Sequence, residues 1–305
     1  QFACDEELPG LLSTLGMIHG EGLLLSAAER AQLVEEVIDA VGDAVPVVAH
    51  VGAASTREAI GLARHAAAAG AVAVSTIPPI YYRYSADEVT GHYRAVMDAV
   101  DLPMILYNIP QFTGQEFQAD HPLLSDPRVV GVKHTAHSMY QLERMAKAHP
   151  SMHLINGFDE TYLAATVAGA TGSIGTTISL QTDCFKAVRA LVRAGDLAGA
   201  RDFQRRINDV IEELVAVSVF PAAKWVESQL TGIDLGPCRA PFAEIGRQRR
   251  RQHQIGTERQ SGRDTDEGET GQVAMPETIS ADKSKRCQQH PQHHQECQHR
   301  YRPRW

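Results

Sequence analysis

The sequence has few aromatic residues, only five cysteines in 305 residues, and no apolar run long enough to cross a bilayer. Its longest apolar stretches reach about ten residues before Asp, Pro or Gly ends them, against the roughly 20 that a spanning helix needs. The cysteines, at positions 4, 184, 238, 287 and 297, are odd in number and widely spaced. That excludes a dense disulfide scaffold and fits free thiols in a reducing compartment. Gln1–Leu8 carry Asp5, Glu6 and Glu7 with no basic stretch ahead of an apolar core, so no secretory signal is read and a cytoplasmic location is expected. No GxGxxG follows any apolar run, which removes the usual dinucleotide signature.

What is present is a globular composition, 43% apolar and 22% charged, with the charge divided unevenly. Residues 247–305 hold ten Arg and two Lys against five Glu and three Asp, a net of +4, which leaves −12 for residues 1–246. An acidic body offers no footprint for nucleic acid and suits an enzyme acting on small molecules. The basic stretch, from RQRRRQHQ to CQQHPQHHQECQHR, is poor in aliphatics and reads as a low-complexity, disordered tail. Its Cys287, His290, His293 and Cys297 have donor atoms suited to zinc, but no strand or knuckle frames them, and no metal is expected.

Between Ser13 and Gly232, short apolar runs alternate with amphipathic helical patterns. The runs at 45–51, 71–77, 103–109, 129–132, 153–156 and 172–177 are nearly continuous in apolar residues, as in parallel strands covered on both faces. Ser26, Ser55 or Thr56, and Ser85 stand as caps before helical stretches. At least six βα units imply an α/β protein with a (β/α)8 barrel over residues 1–180. Helical patterns at 181–193, 197–219 and 221–230 imply a C-terminal helical extension over 181–246, followed by the tail at 247–305.

In such a barrel the chemistry lies at the C-terminal ends of the strands. Lys133 ends VVGVK, Tyr107 interrupts PMILYNIP, Asp159 and Glu160 follow HLINGF, and Thr176 and Thr177 follow GSIG. Each has an ordinary explanation: a snorkelling lysine, a packing tyrosine, a helix cap, strand-favouring threonines. Their convergence on one barrel end favours another reading. A lysine desolvated there becomes a neutral amine able to attack a ketone, with a phenol beside it to move protons.

YNIP at 107–110, GVKHT at 131–135, NGFDE at 156–160 and IPPIYYRYS at 77–85 together resemble the N-acetylneuraminate lyase and dihydrodipicolinate synthase superfamily of pyruvate-dependent aldolases, over about residues 20–242. The resemblance implies a TIM barrel with a helical extension, usually a homotetramer, working through a lysine–pyruvate Schiff base without metal or cofactor. It implies Lys133 as the Schiff-base lysine and Tyr107 as the proton shuttle. It implies Tyr81 as a residue reaching into a neighbouring subunit's site. NGFDE is similar to the lyase branch, which implies Gly157, Asp159 and Glu160, with Thr135 and Thr176, as contacts to a polyhydroxy substrate. Phe112 stands where the dihydrodipicolinate branch has an arginine for its second substrate's carboxylate.

The leading expectation is therefore cleavage of N-acetylneuraminate to N-acetylmannosamine and pyruvate. A related aldolase or dehydratase acting on another 2-keto acid, or a catalytically impaired relative, stays open. Gly16-Met17-Ile18-His19-Gly20-Glu21 aligns with the family's carboxylate-holding motif but lacks its two hydroxyl residues, and only 20 residues precede Glu21. The first β/α unit is accordingly expected to be incomplete.

Overall fold

The computed structural model describes residues 2–4, 13–15 and 21–246. The altered motif at 16–20 and the tail at 247–305, with its expected disorder and its Cys/His group, lie outside the described residues. Strands and helices alternate as β1 (Phe2–Cys4), β2 (Ser13–Leu15), α1 (Ala27–Val41), β3 (Val47–His50), α2 (Thr56–Ala69), β4 (Ala73–Thr76), α3 (Ala86–Met97), β5 (Met104–Asn108), the short α4 (Pro110–Thr113), β6 (Val129–His134), α5 (Met139–Ala148), β7 (His153–Asn156), α6 (Tyr162–Val167) and β8 (Gly172–Ile174). Three more helices follow: α7 (Thr182–Arg193), α8 (Leu197–Ala216) and α9 (Val219–Thr231).

Local chemistry sets the helix boundaries. Ser26 and Ser85 form reciprocal capping boxes with Glu29 and Glu88, and the Ser55 side chain accepts from the Glu58 N–H. Gly70 closes α2 at φ 103°, a conformation that costs glycine little. The helix expected through Val219 instead ends at Ala216. Ser218 takes φ 88°, and α9 restarts with Pro221 in its first turn, where the missing N–H is harmless.

The sheet runs in the order β1-β8-β7-β6-β5-β4-β3-β2. Strands β2 to β8 are parallel, while β1 pairs antiparallel with β8, Phe2 opposite Ile174 and Cys4 opposite Gly172. The barrel is thus carried by seven parallel strands, and β1 occupies the place beside β8 in reversed direction. Eight residues separate β1 from β2, fewer than the dozen or so that a parallel crossover requires. Among the described residues no ladder joins β1 to β2.

Two apolar layers divide the strand residues by parity. Ala49, Val74, Leu106, Val132 and Leu154 pack outward among helix residues such as Ala63, Tyr93 and Leu142. Val48, Ala73, Ile105, Tyr107, Ile155 and Ile174 form one inner cluster. Residues of β3 and β8 share that cluster only because the sheet curls around it. A further cluster of Tyr162, Ile178, Phe185, Val188, Ala200 and Ile207 docks α7 and α8 beside the last strands. No helix among the described residues is long and apolar enough to cross a membrane.

Candidate active site

The inner face carries its polar groups at the C-terminal ends of the strands. Along β5 and β6 the pairing begins Met104 with Val129 and then shifts, so that Ile105 meets Gly131 and Tyr107 meets Lys133. The extra residue, Val130, forms a bulge that puts Lys133 on the inner face opposite Tyr107; without it the side chain would turn to the other face. Gly131 is needed at this point, because a Cβ there would lie 2.8 Å from the His153 carbonyl oxygen.

Lys133 is fully buried and its Nζ sits 4.0 Å from the centroid of the Tyr107 ring. Desolvation holds the ammonium well below the usual lysine range, with Asp159 pulling weakly the other way. The Tyr107 phenol is raised by burial, and the neighbouring Thr135 side chain opposes that shift. Lysine, tyrosine and threonine therefore form one contiguous unit across β5 and β6.

Asp159 lies in a short 3-10 turn, Asp159–Thr161, after β7. Its Oδ2 accepts from the backbone N–H of Thr177 at 2.8 Å and the Thr177 hydroxyl at 2.7 Å, while Oδ1 has no hydrogen-bond partner among the described residues. Burial, partly opposed by these bonds, raises its carboxyl to about 6. Thr177 holds Asp159, while Thr176, expected as a substrate contact, is half-buried beside it. Glu160 is exposed at the same rim. Gly157 is buried against Thr135, and a Cβ on it would lie 1.8 Å from the Thr135 Oγ1. Tyr81 does not join this group within the chain: it is 90% exposed, has φ 85° and stacks edge-on with Tyr82. Phe112 is 68% exposed on α4.

The sequence reading leaves out several supporting residues. Gln204 of α8 donates from Nε2 to the carbonyls of Asp159 and Glu160, at 3.1 and 3.3 Å, and accepts from the Leu163 N–H, so the helical extension fixes the acidic turn. Asn108 and His134, side by side on the outer face, meet at 3.1 Å, and Asn108 also accepts from the Phe117 N–H. His50 and Ser75 sit on the inner face beside Tyr107. Their signal was available, since each is a polar residue breaking an apolar strand as Lys133 does; Gln204, 41 to 45 residues away from its partners, had none. Among the described residues no group of three or more His, Cys, Asp or Glu is placed to hold a metal ion.

A family model for the dihydrodipicolinate synthetase family matches residues 2–257. An N-acetylneuraminate lyase of Rhizobium meliloti is 41% identical over 232 residues, 76% of this chain and 77% of that protein. Another from Enterobacter sp. is 36% identical over 80% of this chain and 83% of its own. Among solved structures, CdNal of Clostridium difficile, determined in complex with mannosamine, superposes with a TM-score of 0.73 at 30% identity, covering 80% of this chain and 85% of that one. The N-acetylneuraminate lyase of Fusobacterium nucleatum gives the same TM-score and identity over 82% and 86%. With the buried lysine, its tyrosine partner and the acidic turn on a curled parallel sheet, the chain belongs to the dihydrodipicolinate synthetase family.

Proposed function

We propose that this chain is a class I aldolase that cleaves N-acetylneuraminate to N-acetylmannosamine and pyruvate. The observation that carries the proposal is the fully buried Lys133 amine over the Tyr107 ring, facing an acidic turn. Lys133, its ammonium disfavoured by burial, attacks as the free amine on the C2 ketone of the open-chain sugar, and protonation with loss of water gives a protonated imine that withdraws electrons from the C3–C4 bond. Tyr107 takes the proton from the C4 hydroxyl while its own phenolic proton passes to the substrate carboxylate, the C3–C4 bond breaks and the aldehyde leaves. Protonation of the remaining enamine at C3 and hydrolysis of the imine release pyruvate and restore Lys133. Asp159 and Glu160 serve the polyol end, with Gly157, Thr135 and Thr176 lining the approach.

The curated relatives at 36–41% identity support this substrate over an aldehyde bearing a carboxylate. At Phe112 there is no guanidinium to bind such a carboxylate in two-pronged fashion. We read the working form as a cytoplasmic homotetramer without metal, in which the outward-pointing Tyr81 serves a neighbouring subunit. Residues 1–180 are the catalytic barrel and 181–246 the extension that braces the acidic turn.

The test is borohydride reduction in the presence of pyruvate, followed by peptide mapping, with a substrate panel alongside. The expected result is a reduced pyruvate adduct on Lys133, its loss in Lys133→Ala, and turnover of N-acetylneuraminate in preference to 2-keto-3-deoxy sugar acids or aspartate semialdehyde with pyruvate. An adduct persisting in Lys133→Ala overturns the assignment of the nucleophile. Preference for another 2-keto acid overturns the substrate.

A further inference from the structure

One side chain outside the barrel grips the acidic turn by its backbone. Gln204 of α8 is buried; its Oε1 accepts from the Leu163 N–H at 2.7 Å, and its Nε2 donates to the carbonyls of Asp159 at 3.1 Å and Glu160 at 3.3 Å. The partners fix which way the amide faces, since an N–H can only donate and a carbonyl can only accept. Asn208, one helical turn further along α8, accepts from the same Nε2 at 2.9 Å and holds the amide against rotation.

The turn depends on this grip. Helix α6 starts at Tyr162, directly after the turn, and Thr161 gives it no side-chain cap. Leu163 therefore carries one of the first-turn N–H groups that a helix leaves unpaired, and Gln204 caps it from a different helix. Helix α8 is itself anchored, with Ala200 and Ile207 in one buried cluster with Tyr162, Ile178 and Phe185. On the other side, Thr177 holds Asp159 Oδ2, and Gly175 lies so close that a Cβ on it would stand 1.6 Å from Oδ1. Asp159 is thus fixed twice, its carboxylate by the segment after β8 and its backbone by α8.

We propose that Gln204 is a positioning residue that sets how strongly the site prefers a 2-keto acid with a polyhydroxy tail over one without. The proposal rests on the Schiff-base reading of Lys133 and on the assignment of Asp159 and Glu160 to the polyol end. Gln204 acts through the turn: its bonds to Asp159, Glu160 and Leu163 all go to backbone atoms. Lys133 and Tyr107 are placed by the pairing of β6 with β5, which owes nothing to α8. Releasing the turn therefore misplaces the acceptors for the tail and leaves imine formation in order. Misplacement by about an ångström costs up to about 10²-fold in rate.

The test is Gln204→Met, which keeps the length and bulk of the side chain and removes its hydrogen bonds. Three quantities are compared with the parent: kcat/KM for N-acetylneuraminate, kcat/KM for the tail-less 2-keto-4-hydroxybutanoate, and borohydride trapping of pyruvate. The first should fall about 10- to 100-fold and the other two should hold within about twofold. A parallel fall in all three marks a general structural role and overturns the proposal, as does an unchanged preference. Should Gln204→Met not fold, Gln204→Asn, one methylene too short to reach the turn, is put to the same comparison. Hydrogen exchange at the Leu163 amide of the parent needs no variant. By reciprocity a sugar held by the clamped turn tightens the clamp, so N-acetylmannosamine added with pyruvate should slow exchange relative to pyruvate alone. Equal exchange overturns the proposal. A parent that traps pyruvate but leaves N-acetylneuraminate uncleaved overturns the substrate reading instead, and the same comparison is then made with the 2-keto sugar acid it does cleave.

Discussion

Lys133 stands over the face of Tyr107 because one extra residue in β6 brings it into register with that tyrosine on β5. The contact separates the two roles of the tyrosine, a packing ring and a proton-carrying phenol. Tyr107→Phe keeps the ring and removes only the oxygen, so Lys133 stays buried and the pyruvate adduct still forms. Turnover of N-acetylneuraminate, which requires a proton to leave the C4 hydroxyl, should fall by about 10²–10⁴-fold, the usual contribution of a positioned acid–base group. Parallel measurement of adduct formation and kcat checks this; an unchanged kcat removes Tyr107 from the proton path.

Glu160 is exposed in the turn after β7, next to the buried Asp159, and on the proposed reading it serves the polyol end of the substrate. Glu160→Gln should therefore lower kcat/KM for N-acetylneuraminate while leaving pyruvate trapping intact. A hydrogen bond to a charged group is worth roughly 1.5–3 kcal/mol, or about 10 to 150-fold in rate. Equal losses in the two assays would place Glu160 elsewhere.

The βα repeat, the caps at Ser26, Ser55 and Ser85 and the meeting of Lys133 with Tyr107 were legible in the sequence, because each depends on local pattern. Apolar runs give the strands, and a polar residue at a run's end gives a candidate for the inner face. The reversed β1 was not legible, since three residues carry no periodicity and their direction depends on which edge is left open. Nor was the bond from Thr177 to Asp159, which depends on where β8 ends: at Ile174, earlier than the apolar run suggested. Gln204 was hidden for a different reason. Its partners on the acidic turn are backbone carbonyls and an N–H, which nearly every residue possesses, so no pairing of residue types announces the contact.

The Asp159 carboxyl, raised to about 6 chiefly by burial, gives the site a pH signature. Above that value the carboxylate accepts from Thr177 and leaves Oδ1 to accept from a substrate hydroxyl. Below it the carboxyl is protonated and that acceptor weakens. The ratio of kcat/KM for N-acetylneuraminate to the rate of pyruvate trapping should thus fall on the acid side of about pH 6. In Asp159→Asn the ratio should be low and flat. A ratio that follows the same acid limb in both proteins would show that another group titrates.

Stability should show a stronger acid dependence, with its origin in buried histidines. Desolvation is the main cause that holds His50 at about 3 and His92 and His134 at about 4 in the folded protein, below the ordinary imidazole value near 6.5. The Asn108 bond of His134 reinforces neutrality, since Nδ1 accepts from it and a second ring proton would displace that donor, while the Ser138 carbonyl, accepting from Nε2, pulls more weakly the other way. The unfolded chain takes up these protons first. A group with a depressed folded value contributes its full stability above the unfolded value, and that contribution is lost as pH falls toward the folded value. Stability should accordingly decline from about pH 6.5 toward 4, each proton contributing up to about 1.4 kcal/mol per pH unit. His121, lowered more modestly by partial burial, acts in the same direction. Asp159 acts against them below about pH 6, because its raised value lets the folded state bind a proton that the unfolded state binds only nearer 4. Urea midpoints measured from pH 7.5 to 4.5 should fall across this window, and His92→Phe should flatten the slope by about one proton relative to the parent, whatever its effect on stability at pH 7.5. Midpoints constant down to pH 4.5 would mean that these histidines are already protonated in the folded protein, and the burial argument for His50 would fail with them.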